Sequence, residues 1–382
     1  VRERGDFDWH VAAHPYPETE WAIGLKVPKL NVWMLEDGKT APVAAGDLGV
    51  FRSLKPYDAV TLSDENGVLR LAAPPQVQGG VAVIDNETGE VRALSGGFTA
   101  GPYGKNAQNN RVTRSVREPG STIKLASYLY ALNHGMEPTT VLSGGGVRLP
   151  RIANCPYEWS PGNYGGGRGG GTVLMKNALA QSLNLAVVNM FTRLAGFPGG
   201  GNLAGTSPEQ KQKLTDTLYD IYDLAVSMGA YPSRQSLIER RQQLPCFPFL
   251  LGGYETTPLN MVQLYAAVGN GGLKREAIFL RQIFKGRTPL IVDHTDELRA
   301  QAMRYRVAVK NGFVVAPEAF GAIPQVSPGS VAQLRMMMQG ILRHGTATRI
   351  SRWADLIGGK TGTTNNSKDV WFSGFTSKLA IT

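Results

Sequence analysis

Residues 117–132 read REPGSTIKLASYLYAL, and the placement of one lysine in that stretch decides how the chain is understood. The turn Pro119-Gly120 delivers Ser121, and Lys124 then interrupts an otherwise apolar run. The pattern predicts a helix from Ser121 to Gly135, with Gly135 as its C-terminal cap. Residues i and i+3 share a helix face, so Lys124 can reach the Ser121 hydroxyl. Two readings compete. The lysine can snorkel, laying its stem on apolar surface while its charge stays in water. Alternatively it takes the proton of Ser121, because a serine hydroxyl is a poor nucleophile without a neighbouring base. An ordinary lysine, with a pKa near ~10.4, is protonated at neutral pH and cannot act this way. Burial among Ile123, Leu125 and Ala126 disfavours the charged form and lowers that value, and a second cation such as Lys360 lowers it further. Ser121 also starts its helix, so its free backbone N–H and the helix dipole favour an oxyanion there.

The chain has 382 residues, 42% hydrophobic and 18% charged, enough for a sizeable core and more than one domain. No run approaches the ~20 apolar residues of a spanning helix, and no signal peptide opens the chain. The sequence reads as part of a longer protein, with any membrane anchor outside it. The net charge of +10 draws anionic partners, yet Lys and Arg are scattered and form no basic block. No zinc finger, RNA-binding signature or basic heptad region is present, so nucleic-acid binding is not expected. Cys155 and Cys246 fit no metal-ligand spacing and leave a disulfide and two free thiols equally open.

Residues 1–27 read as a linker segment. Residues 28–76 read as a small β module, with LNVWML, GDLGVFRSL, KPYDAVTL and VLRLAA as short strands. Pro74-Pro75 separates it from a hairpin, Gly79 to Gly97, that turns through DNETGE with Gly89 as the expected left-handed residue. Helical patterns follow over Thr172–Gly196 and near Lys211–Ala230, Leu259–Val268 and Val331–His344. The glycine-rich stretch from Ser143 to Gly171 lacks the Gly-Lys-Ser/Thr ending of a phosphate-cradling loop and reads as surface loop. Residues 357–376 close the chain with two strands around a polar turn. Strands, then helices, then strands describe an α/β (α+β) core whose sheet joins both ends of the segment.

Three patterns carry chemistry together. Ser121-Thr-Ile-Lys124 is the one S-x-x-K, Ser182-Leu-Asn184 the one S-x-N and Lys360-Thr-Gly362 the one K-T-G. Each is weak alone. Ser182 also fits a helix N-cap, and residues 358–363 also fit an ordinary glycine-containing strand. Their joint occurrence and order favour a site in which Ser182 relays protons between Lys124, Lys360 and a leaving amine. Asn184 would donate its amide to a substrate carbonyl, and Lys360, Thr361 and Thr363 would hold a carboxylate.

This set, in this order, resembles the transpeptidase domain of the penicillin-binding proteins, specifically the class A, bifunctional kind. The resemblance covers residues 79–382. It extends to AVIDNETGEVRALSGG ending at Gly97, NNRVTRSVREPGS ending at Ser121, and GTVLMKNALAQSLN ending at Asn184. It extends also to TPLNMVQLYAAVGNGG from Thr257, His344-Gly-Thr-Ala347 and DVWFSGFT from Asp369. Residues 28–76 resemble the small OB-like module that some class A members carry. The resemblance implies Ser121 as acylated nucleophile, Lys124 as its base, and Ser182 and Asn184 as the second motif. It implies Lys360, Thr361, Gly362 and Thr363 as the carboxylate-binding strand, and the backbone N–H groups of Ser121 and Thr363 as oxyanion hole. The edge strand would take the extended donor peptide as an added β-strand. The implied partners are D-Ala–D-Ala stem peptides, an acceptor amine, β-lactams and other wall-synthesis proteins, on the periplasmic face of a bacterial inner membrane. The chemistry requires no metal or organic cofactor. The glycosyltransferase domain and the anchor of the family are not in this chain.

Among rivals, a serine β-lactamase or β-lactam sensor shares the motifs. Glu209, Glu239 and Glu255 all lack the asparagine four residues on that a class A lactamase needs, and the 178-residue interval from Ser182 to Lys360 is long for one. A DD-carboxypeptidase, with water as acceptor, is the nearer rival. A catalytically silent module that grips anionic wall polymers would not need Ser121 and Lys124, and both are present.

Overall fold

The computed structural model describes residues 9–16, 22–27, 32–34, 40–53, 60–65, 68–72, 77–97, 109–166, 169–312, 320, 323, 326–364 and 367–382. The chain divides into two compact units, residues 1–79 with 97–109, and residues 80–96 with 110–382.

The first unit is built on a six-stranded sheet. Its order is Thr40–Pro42, Val32–Met34, Ala22–Val27, Trp9–Tyr16, Val60–Glu65, Val68–Ala72. Two expectations change here. The segment expected to be a linker, residues 1–27, supplies the two middle strands, and Trp9–Tyr16 pairs antiparallel with Ala22–Val27 and parallel with Val60–Glu65. Its partner on one side comes from far along the chain, and its two histidines and Pro15 disguise the strand pattern. The segment GDLGVFRSL is not a strand but a 3-10 turn, Ala45–Asp47, running into the helix Leu48–Ser53. Leu48 and Phe51 sit at helical spacing, and Phe51 is fully buried. The separator Pro74-Pro75 lies outside the described residues.

In the second unit the sheet joins both ends of the segment. Its order is Gly358–Thr363, Val370–Phe375, Leu379–Ile381, Val81–Asp85, Val91–Ser95, antiparallel throughout. The hairpin turn forms as expected: the Asp85 carboxylate accepts from the backbone N–H of Glu87 and Thr88, and Gly89 takes φ 80°. Helix Pro258–Gly269 packs against three of these strands, and helix Pro328–His344 packs against the edge strand Gly358–Thr363. Three helices open alike. Ser207, Thr257 and Ser327 accept from a backbone N–H of the first turn, and a proline follows each. Among the described residues no helix is long and apolar enough to cross a membrane.

The stretch that opened the reading becomes a 3-10 turn, Gly120–Ile123, followed by the helix Lys124–Asn133. This helix is greasy on every side because it is enclosed on every side. Lys124 through Leu129, Ala131 and Leu132 are all buried, against helices Asn184–Leu194, Pro208–Ser227 and Pro328–His344. The expected helix over Thr172–Gly196 is instead a strand, Thr172–Leu174, and two helices, Met175–Ala180 and Asn184–Leu194, broken at Ser182. The sequence reading also missed the helix Thr295–Lys310. Cys155 and Cys246, left open before, form a disulfide.

The turn that carries Ser121 is held by hydrogen bonds to its backbone. Tyr265 Oη donates to the Thr122 carbonyl at 2.8 Å, and Thr122 Oγ1 donates to the Pro119 carbonyl at 2.7 Å. Gly120, at φ 52°, lies so close to the edge strand that an added Cβ would sit 2.8 Å from the Thr363 carbonyl oxygen. Gly252, at φ 88°, abuts Gly120 from the other side, and its own Cβ would fall inside the Gly120 carbonyl. Gly252→Ala therefore combines a left-handed side chain with a backbone clash. It is expected to destabilise this unit by about 3 kcal/mol, read as a lowered denaturation midpoint. An unchanged midpoint would contradict the packing described.

Candidate active site

The three sequence motifs converge on one cleft of about 660 Å³, lined among others by Ser121, Ser182, Asn184, Thr361, Gly362 and Thr363. Each arrives on a different element. Ser121 stands in the 3-10 turn ahead of helix Lys124–Asn133. Ser182 and Asn184 stand at the break between two helices, and Lys360 on the edge strand.

Lys124 and Lys360 are both fully buried, and both reach the second motif. Lys124 Nζ donates to Asn184 Oδ1 at 2.6 Å and to the Ser182 carbonyl at 2.8 Å, with Ser182 Oγ at 3.4 Å. Lys360 Nζ donates to Ser182 Oγ at 2.9 Å and to the Thr361 carbonyl at 2.9 Å. The Ser182 hydroxyl thus lies between two lysines. Burial, and after it the charge of Lys360, holds Lys124 well below the ordinary lysine range. Burial lowers Lys360 to about 7. The snorkelling alternative is excluded, because no part of the Lys124 side chain reaches water.

The hydrogen bonds of Lys124 go to the second motif rather than to Ser121. With its lowered pKa, Lys124 keeps its amine on three acceptors of the second motif: the Ser182 carbonyl, Asn184 Oδ1 and, at longer range, Ser182 Oγ. Asn184 is held from its other end as well, since its Nδ2 donates to the Gly162 carbonyl at 2.8 Å.

Ser182 occupies φ 58°, a conformation that non-glycine residues rarely adopt. It follows the C-cap of helix Met175–Ala180, while Leu183 caps the next helix without a side-chain hydrogen bond. The N-cap role open to Ser182 from sequence is therefore not the one it takes. Glycine would be less strained here, whereas serine places a hydroxyl within reach of both lysines.

Some site residues were not singled out from sequence. Thr346 Oγ1 lies 2.6 Å from Thr361 Oγ1, and the Thr346 N–H donates to the Ala180 carbonyl at 3.1 Å. One residue so ties the second motif's helix to the third motif's strand. It belongs to the His344–Ala347 stretch, whose only sequence signal was the family resemblance. Trp159, Gly162 and Tyr164 form another wall. Trp159 stacks on Phe247 at 6.4 Å, and the Cys155–Cys246 disulfide joins the same two segments. Among the described residues no group of three or more His, Cys, Asp or Glu is arranged to hold a metal ion.

The cleft thus brings a serine in a turn ahead of a helix and two buried lysines beside the edge strand Gly358–Thr363. Residues 79–380 match the family described as the penicillin binding protein transpeptidase domain, and the chain belongs to that family. Its relatives place it with the class A members. It is 28% identical over 330 residues to penicillin-binding protein 1A of Rickettsia conorii, covering 86% of this chain and 37% of that protein. It is 30% identical over 303 residues to penicillin-binding protein 1A of Neisseria flavescens, covering 79% and 31%. The chain thus spans about a third of the length of such relatives. Among solved structures, penicillin-binding protein 1A of Haemophilus influenzae aligns with 97% of this chain and 51% of its own, at a TM-score of 0.63 and 20% identity. PonA1 of Mycobacterium tuberculosis in complex with penicillin V aligns with 80% and 68%, at 0.54 and 18%.

The buried lysines give a stability signature. Lys360 titrates at about 7 in the fold and at its ordinary 10.5 when unfolded. Between those values the unfolded chain binds more protons, so stability rises with pH across the window. Lys360→Met is expected to be more stable than wild type near pH 7, with the difference shrinking toward pH ~9.5, by denaturant midpoints. The comparison isolates Lys360 from the buried tyrosines, whose raised values act in the opposite sense at higher pH. A variant less stable than wild type at neutral pH would contradict a Lys360 lowered by burial.

Proposed function

We propose that this chain is a serine DD-transpeptidase that crosslinks peptidoglycan stem peptides through a Ser121 acyl-enzyme. The observation that carries the reading is the pair of buried lysines on Ser182, in the cleft that Ser121 lines. Lys124, neutral by burial, takes the Ser121 proton as Oγ attacks the carbonyl of the D-Ala–D-Ala bond. The oxyanion forms against the backbone N–H groups of Ser121 and Thr363. Ser182 passes the proton to the departing D-Ala amine. An amine from a neighbouring stem then attacks the acyl carbon and restores Ser121. Lys360, Thr361 and Thr363 hold the donor carboxylate, and the free side of strand Gly358–Thr363 takes the donor as an added strand. β-Lactams mimic the donor and stall as acyl-enzymes. The penicillin V complex is a property of PonA1, and it lends support to the same ligand class here.

In the same reading residues 79–382 are the catalytic domain, and the preceding sheet is an OB-like module whose strands begin at Trp9. The whole protein would carry a glycosyltransferase domain and an inner-membrane anchor, and would work on the periplasmic face with other wall-synthesis proteins. A DD-carboxypeptidase, using water as acceptor, is separated from this by product analysis.

Intact-mass analysis after incubation with benzylpenicillin tests the nucleophile. Wild type is expected to gain one drug mass and Ser121→Ala none. Rapid drug loss without an adduct would point to a lactamase, and neither adduct nor drug loss would overturn the reading.

A further inference from the structure

We propose that Glu118 is the acceptor-positioning residue: its carboxylate holds the ammonium group of the incoming acceptor beside the Ser121 acyl-enzyme. The inference rests on the crosslinking reading above and concerns its second half. Glu118 lines the same cleft as Ser121, and among the described residues it is the only carboxylate to do so. It is half-buried, and no described residue gives its carboxylate a hydrogen bond or ion pair. The adjacent guanidinium does not neutralise it, since Arg117 Nε lies 3.8 Å from Asp369 instead.

The backbone that carries Glu118 is fixed on both sides. Arg117 exchanges two backbone hydrogen bonds with Thr256, at 2.8 and 2.9 Å. Pro119 and the tightly packed Gly120 follow. A carboxylate left unpaired on a rigid turn, in a half-desolvated cleft, is placed for a cation that arrives from outside. Lys124 and Lys360 are not that cation, for their amines are committed to Ser182, Asn184 and Thr361. The donor half of the reaction brings a carboxylate to Lys360, whereas the acceptor half brings an amine that is protonated in water.

In that half the acceptor R–NH3+ docks on Glu118 and gives one proton to Lys124. Its nitrogen lone pair forms the C–N bond to the acyl carbon, the C–Oγ bond breaks, and Ser121 Oγ regains a proton as the new amide loses its second one. Glu118 positions the amine and takes no part in bond making.

A structural role is the competing account, because a carboxylate ahead of a helix also favours the helix dipole. The partition of one acyl-enzyme between aminolysis and hydrolysis separates the two, since that ratio does not depend on the rate of acylation. A D-alanyl thioester donor would be given with glycinamide, which is largely an ammonium at neutral pH, or with hydroxylamine, which is uncharged there. Glu118→Gln is expected to lower the amide-to-acid product ratio for glycinamide about fivefold, as for a half-exposed ion pair. The hydroxylamine ratio is expected to stay at its wild-type value, and Glu118→Asp to recover part of the loss. Equal losses for both nucleophiles, or no loss for glycinamide, would overturn the proposal. Thiol release by wild type with acid as the only product for either nucleophile would overturn it together with crosslinking, and no thiol release at all would overturn the acyl-enzyme itself.

Discussion

Lys124 and Lys360 come from a helix and from a sheet edge, and both end on Ser182 with no exposure to water. Two ammonium groups that close would repel, and each would lose its hydration. The fold therefore holds both pKa values below the ordinary lysine range, and an amine of lowered pKa can serve as a base. Much of the rest of this unit serves that condition. Helix Lys124–Asn133 is wrapped by other helices so that its lysine is dry, and the edge strand is pressed onto the Ser121 turn, with Lys360 dry as well.

Close backbone approach is what makes the pressing possible. Gly120, Gly252 and Gly362 bring three segments together at distances that no side chain tolerates. Among the residues that line the cleft, Ser182 carries a left-handed backbone, and its hydroxyl lies between the two lysines. A site built so has opposed demands. Apolar residues in place of the lysines would relieve desolvation, but in the proposed mechanism the loss of Lys124 would leave Ser121 without its base.

The residues that meet in the cleft were legible before the structure because they reside in short, local patterns. A lysine in an apolar helix, a serine-asparagine pair that breaks a helix and a glycine-flanked lysine strand each carry their own signal. The closing sheet could be read for the same reason, since a hairpin near Gly89 and two terminal strands declare themselves locally. What escaped depended on distant partners. Trp9–Tyr16 is a strand because Val60–Glu65 lies beside it, and its own residues, broken by Pro15, say little. The pairing of Cys155 with Cys246 across 91 residues is of the same kind. Thr346 became visible only when its hydroxyl met Thr361, and the free carboxylate of Glu118 only when the residues around it were seen to be paired elsewhere.

The proposed mechanism rests on burial holding Lys124 and Lys360 far below the range in which other lysines titrate. Lysine labelled with carbon-13 at Cε, followed by NMR through a pH titration, reads this directly, with Lys124→Met and Lys360→Met assigning the signals. Two resonances are expected to titrate far below the rest, that of Lys360 near 7. Both resonances titrating with the surface lysines, near ~10.4, would contradict the buried-amine mechanism.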